Sequence, residues 1–394
     1  MIHFFNPGHE TAVLNASPYY MAPANVATMQ RELAFLPAWY ASRGDCVLVE
    51  NQIEPCFDQY LVEHLDFGIE AVTEQQLLGY KNEKVALWGV SPQAIHFFEE
   101  LSKAQNLNLQ LPVWHDRYTY LNSRMAASDC LVEIRKTIPL ISSDLIPHFC
   151  STLDKVEKYV ECTQGQLLTK APYSSSGRGL LWLPATGLTR TERQILHGIL
   201  KKQGSVAIEK VLDKEIDFAM EFAADGNGNV HFLGYSLFST NKKGAYEGNF
   251  IGSQSIIIEV LQSRIDCSLL ERVKATLTTV LSEEYAKCYE GCIGVDMMVY
   301  KDDEEYRLHP CLEINMRSNM GLLALRISEN YISKTSKGQF KFDFSAKDGD
   351  IYLRHQSMQQ QYPAHFQDKR LAKGYLPLCP IAESSHYTAY LLID

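Results

Sequence analysis

Short apolar runs at Ile2–Phe5, Cys46–Glu50 and Val85–Val90, separated by amphipathic stretches, predict a layer of strands and helices in the first third of the chain. After the third run, Ser91-Pro92-Gln93 puts a capping serine before a proline at the first helical position, and Ile95, Phe98 and Leu101 follow at near-helical spacing. The texture changes near residue 119. Helical TYLNSRMAASDCLVEIRK and STLDKVEKYVEC lead into the strands QLLTKA and LLWLPA, a helix near Glu192–Lys202 and the strand VAIEKVL. IDFAMEFAADGNGNVHFLGYSLFS then reads as two strands about a DGNGN turn. A helix is expected over 268–290, capped by the pair Ser268 and Glu271, with Leu270, Val273, Leu277 and Val280 on one face. CIGVDMMVY, a polar KDDEE turn and YRLHPCLEINMR form a second hairpin, and YTAYLLID a final strand.

Composition narrows the function classes. The 394 residues are 46% hydrophobic and 21% charged, enough for two or three domains with real cores. A net charge of −10 argues against nucleic acid or an anionic membrane as a principal partner. The start MIHFFNPGHE lacks the basic and apolar regions of a signal peptide, and no apolar run approaches the roughly 20 residues of a membrane span, so a cytoplasmic location is expected. Ten scattered cysteines without a repeated CxxC read as reduced thiols.

Two polar groupings interrupt this pattern. In LHPCLEINMR, Glu313, Asn315 and Arg317 are spaced by two, so a strand projects them from one face and Leu312, Ile314 and Met316 from the other. Asp296 breaks the apolar run across the turn. Two carboxylates and an amide are hard oxygen donors suited to magnesium, which completes its shell with water and phosphate oxygens. The alternative is the solvent face of an edge strand. In LLTKAPYSSSGRGLLWLPA, Lys170 precedes Ser174, Ser175, Ser176, Gly177, Arg178 and Gly179. Accessible backbone N–H groups and two cations make a plausible phosphate cradle, against the alternative of a solvated lysine beside a flexible loop. The first strand ends in FNPGHE rather than GxGxxG, and GxxxxGK[ST] is absent.

Taken in order, LLTKAPYSSSGRG, IEKVLDKEIDFAMEF and GCIGVDMMVYKDDEEYRLHPCLEINMRSNMG resemble the ATP-grasp superfamily of carboxylate–amine ligases over about residues 119–330. The resemblance implies an α/β (α+β) fold: two ATP-grasp lobes preceded by a Rossmann-like βαβ domain. The expected spans are 1–118, a helical linker and small lobe over 119–208, and a large lobe over 209–394. It implies that Lys170 contacts the nucleotide phosphates and that Ser174, Ser175, Ser176, Gly177, Arg178 and Gly179 form a flap. Glu209 would accept from the adenine amino group, with the backbone of Lys210, Val211 and Leu212 completing that edge. Glu215 would bind the ribose, with Asp217 as competitor. Asp296, Glu313 and Asn315 would hold two magnesium ions, manganese being an alternative, and Arg317 would steady the transferring phosphoryl group or the acyl phosphate.

Two departures stand out: Arg124 replaces a lysine of the family, and Met316 follows the metal-site asparagine where proline is usual. The implied activity is ATP-dependent activation of a carboxylate as an acyl phosphate, then capture by an amine. An ATP-grasp kinase or a non-catalytic nucleotide-binding protein is the alternative. Candidates for the acceptor side are the loop 238–252, with Asn241, Lys242, Lys243, Tyr246 and Glu247, against the alternative of a solvated hairpin extension, and His9 and Glu10 of FNPGHE, against that of a structural turn. The expected partners are a small carboxylate and an amine. Helix faces that bury against a second copy look like core faces, so a homodimer is compatible with the pattern.

Overall fold

The computed structural model describes residues 1–394 except Ser175, Ser176, Arg178, Ala185 and Thr186. The chain forms two compact units. Unit one comprises Met1–His115, Glu247–Ile257 and Arg317–Asp394; unit two comprises Asp116–Tyr246 and Ile258–Met316. The sequence spans expected above run consecutively, whereas these units interleave, because strands pair with partners from distant segments.

In unit one, a parallel sheet runs in the order Glu70–Val72, Cys46–Leu48, Ile2–Phe4, Val85–Leu87. Ile2, Cys46, Leu48, Val72 and Val85 pack with Phe98 and Leu101 of the helix Pro92–Gln105. The Ser91 hydroxyl caps that helix, accepting the Ala94 N–H at 3.3 Å. A second, antiparallel group contains the final strand Tyr387–Ile393, flanked by Gly338–Phe344 and Arg370–Pro377.

Unit two contains two antiparallel arrays. The smaller runs His148–Cys150, Val206–Lys210, Leu167–Lys170, Leu180–Trp182. Cys150, Val156, Leu167, Leu196, Val206 and Ile208 form its core. In the larger, Glu305–Asn315, Glu290–Asp302, Asp213–Asp225 and Val230–Thr240 lie side by side in that order. Both hairpins expected from the turn sequences are formed.

The helix expected over 268–290 is Cys267–Glu284. Its cap is Asp266, whose carboxylate accepts the Ser268 N–H at 2.6 Å, so Ser268 lies inside the first turn. The buried stripe is Leu270, Val273, Leu277 and Leu281, with Leu281 in the place expected for Val280. The helix stops before the next strand begins at Glu290, and buried Tyr285 anchors the turn by donating to the Leu121 carbonyl at 3.2 Å. Among the described residues no cysteine is in a disulfide. Among the described residues, no helix is long and apolar enough to cross a membrane.

Candidate functional site

Lys170 ends its strand, and the register pairs Leu168 with Glu209 on the neighbouring strand. Lys170 and Glu209 are therefore diagonal neighbours on one face. Their side chains meet at 2.5 Å and are only 9% and 13% exposed. Burial pushes the Glu209 carboxyl up, but the opposing pull of Lys170, His309 and Arg124 holds it below its ordinary range.

Arg124 opens the helix Arg124–Thr137, behind the cap Ser123. Its Nε donates to the Ala171 carbonyl at 3.1 Å, and its Nη2 donates to Ser174 Oγ at 3.4 Å and to Glu313 Oε2 at 3.1 Å. One guanidinium thus ties the end of the lysine strand to the long hairpin. That geometry needs the planar fork of arginine; a lysine could satisfy one of these directions well, not all.

The loop after Lys170 is closed at its base by the Ala171 N–H donating to the Gly179 carbonyl at 2.9 Å. Gly179 has φ +90°, and a Cβ there would lie 2.9 Å from that of Ser174. Gly177 has φ +73°, and a Cβ on it would lie 2.5 Å from the Gly244 carbonyl oxygen. Only glycine permits that approach between the loop and the 241–245 turn. Ser175, Ser176 and Arg178 lie outside the described residues.

Strand register assembles the polar face. Glu313 stands opposite Asp296, and Asn315 opposite Gly294. Residues directly opposite in antiparallel strands share a face. Asp296 in turn pairs with Ala219, Gly294 with Glu221, and Met298 with both His309 and Asp217. Asp217, Glu221, Asp296, His309, Glu313 and Asn315 therefore occupy one face. Among the described residues there is no grouping of three or more His, Cys, Asp or Glu side chains that converges as a metal cage. Two facing carboxylates and a neighbouring amide fit magnesium, which retains water and phosphate ligands, better than a metal held by protein alone.

Two members of this face were missed by sequence reasoning. Glu221 is 1% exposed and accepts a hydrogen bond from Ser236 Oγ at 3.0 Å. Its position two and four residues beyond Ala219 and Asp217 was the available signal. His309 is 3% exposed, and its Nδ1 is buried without a hydrogen-bond partner among the described residues. Burial, partly opposed by Glu209 and reinforced by Lys170, pushes its pKa down to about 4, so the ring is neutral near pH 7. An unsatisfied buried nitrogen costs about 1–3 kcal/mol. A polar residue inside the apolar run LHPCL, whose first four residues are buried, was the signal here.

Other expected residues are placed differently. Glu215 sits at a register irregularity and pairs with Arg264 at 3.3 Å, whereas Asp217 is held by Lys214 at 2.7 Å and Thr240 Oγ1 at 2.8 Å on the polar face. Lys210 pairs with Asp144 at 2.8 Å, and the Val211 N–H donates to the Gln166 carbonyl at 2.9 Å. Lys242 and Lys243 are exposed in a turn organised by Asn241 Oδ1, which accepts the N–H groups of Lys243 and Ala245. In unit one, Arg317 pairs with Glu10 at 2.7 Å. Burial pushes the Glu10 carboxyl up, but Arg317 and His9 together hold it low. His9 packs so closely on Gly89 that a Cβ there would lie 2.3 Å from the imidazole ring.

A groove of about 660 Å³ lies between the helices Arg124–Thr137 and Cys267–Glu284 in unit two. Asp129, Glu133, Glu283 and Glu284 line it, a charge pattern that repels a triphosphate and separates it from the polar face.

No protein-family model matches the chain, and no curated protein matches it. Solved structures do. N5-carboxyaminoimidazole synthetase from Staphylococcus aureus, solved with ADP, is 11% identical, with 100% of this chain and 92% of that chain covered and a TM-score of 0.50. Biotin carboxylase from Campylobacter jejuni is 12% identical, with 100% and 87% covered and a TM-score of 0.51. The biotin carboxylase domain of 2-oxoglutarate carboxylase from Hydrogenobacter thermophilus, solved with MgADP and bicarbonate, is 9% identical, with 100% and 86% covered and a TM-score of 0.51. At these identities the likeness is one of fold: this chain has a mixed α/β architecture resembling that of these three structures.

Proposed function

We propose that the polar face of unit two binds magnesium–ATP and that the protein is an ATP-dependent carboxylate–amine ligase. The carrying observation is the guanidinium of Arg124, which brings the end of the lysine strand and the carboxylate of Glu313 to one point. The fold neighbours solved with ADP support the same reading.

Lys170 and Arg124 are the cations placed to meet phosphate oxygens. Asp296, Glu313 and Asn315 are the oxygen donors for magnesium, which when bound would neutralise phosphate charge. Glu209 takes the base edge, and Asp217, better placed than Glu215, takes the ribose. Lys170 holds Glu209 in a buried pair, so nucleotide binding exchanges that contact for one to phosphate. Ser174, Gly177 and Gly179 belong to a loop that excludes water from the transferring group, which matters because an acyl phosphate hydrolyses readily.

The test is magnesium-dependent ADP release by purified protein with panels of carboxylic acids and amines, followed by product mass. Amide formation with ADP and phosphate release is expected. A phosphorylated product lacking the amine would overturn the ligase assignment. Unchanged nucleotide affinity and turnover in both Lys170→Ala and Glu313→Ala would overturn the site.

A further inference from the structure

We infer that His309 recognises the base of the bound nucleotide, its Nδ1 forming a hydrogen bond with the purine ring. The inference rests on the nucleotide reading above and adds to it a residue that neither the motifs nor the fold likeness assigns.

Register sets His309 opposite Met298, and Met298 opposite Asp217, so the imidazole shares the face that carries Asp296 and Glu313. It also acts electrostatically on Lys170 and Glu209, which places it beside that pair. Among the described residues Nδ1 has no hydrogen-bond partner, and His309 is only 3% exposed. A purely structural position in this strand would be filled more favourably by an apolar side chain, as at Leu308 and Ile314.

Charge separates base from phosphate. A neutral imidazole next to the Lys170 cation brings no charge with which to hold a phosphate. It brings one directional hydrogen bond, as donor or acceptor according to tautomer. The neighbouring Met298 adds a soft, polarisable surface, which suits a flat aromatic ring.

Calorimetric titration with ADP and with inorganic tripolyphosphate, both with magnesium, tests this. His309→Phe should weaken ADP binding about tenfold and leave tripolyphosphate binding within about twofold. His309→Asn, which keeps a hydrogen-bonding atom near the position of Nδ1, should retain most of the ADP affinity and covers failure of the phenylalanine variant to fold. Undiminished ADP affinity in His309→Phe overturns the inference. So does an equal loss for both ligands, or a loss in His309→Asn as large as that in His309→Phe. Wild-type protein that binds tripolyphosphate but shows no preference for ADP also overturns it, leaving the phosphate half of the reading intact. Wild-type protein that binds neither overturns the nucleotide reading itself, and this inference with it.

Discussion

Arg124 Nη2 and Glu313 Oε2 are 3.1 Å apart although 189 positions separate them in the chain. The same side chain bonds the Ala171 carbonyl, so one residue holds the opening of a helix, the exit of a strand and a hairpin together. Arg124→Met should destabilise unit two by about 1–3 kcal/mol, because a mostly buried carboxylate and a carbonyl both lose a donor. Arg124→Lys should recover part of this and not all. Chemical denaturation of the two variants measures the difference; equal stabilities would contradict the fork geometry.

The Lys170–Glu209 pair makes a sharper prediction. Lys170→Met leaves a buried carboxylate uncompensated and should cost roughly 3–5 kcal/mol at neutral pH. Adding Glu209→Gln should restore much of the loss, giving a large coupling energy in a double-mutant cycle. The pH dependence has a definite sign. The folded carboxyl of Glu209 titrates below its unfolded value, so its stabilisation is complete above the ordinary carboxylate range and is lost as pH falls through the lowered folded pKa.

His309 contributes in a separate window. Its pKa falls from 6.5 to about 4 on folding, so the unfolded chain binds the extra proton between those values. Stability should therefore decline by roughly 3 kcal/mol as pH drops from about 6.5 to about 4. The slope of folding free energy against pH in that interval should flatten in His309→Phe. A variant with the wild-type slope would place the titration elsewhere.

The meeting of Gly177 with Gly244 predicts a contact that tolerates no side chain at either position. Gly177→Ala combines positive φ with a contact of 2.5 Å to a carbonyl oxygen, and Gly244→Ala would drive a Cβ to 2.5 Å from Leu180 Cδ1 and 3.4 Å from the Trp182 ring. Each should cost about 1–3 kcal/mol locally, through strained backbone and displaced packing. Limited proteolysis should then cut near residues 171–187 faster than in the wild type, and Trp182 emission should shift in Gly244→Ala. Wild-type cleavage rates in both would show that the approach is dispensable.

Local patterns along the chain determined a good deal. Alternation marked both hairpins, whose turns are polar or glycine-rich, and the period of two marked Glu313 and Asn315 as sharing a face. The Ser91-Pro92 step marked a helix start where one occurs. These features depend on neighbours a few residues apart, so the sequence states them directly. The pairing of Lys170 with Glu209 was beyond reach for a different reason: both were visible as candidates, but only the register of two strands makes them diagonal neighbours. Register also brought Asp217, Glu221 and His309 onto the polar face, and drew Glu215 away to Arg264. The return of Arg317 to unit one, against Glu10, was equally hidden, because a two-residue spacing from Asn315 carries no information on where the strand ends and the chain departs. Side-chain type and spacing decide what chemistry a segment can offer. Which segments offer it together is set by long-range strand pairing, whose energy is shared among many contacts and written in no single stretch of the chain.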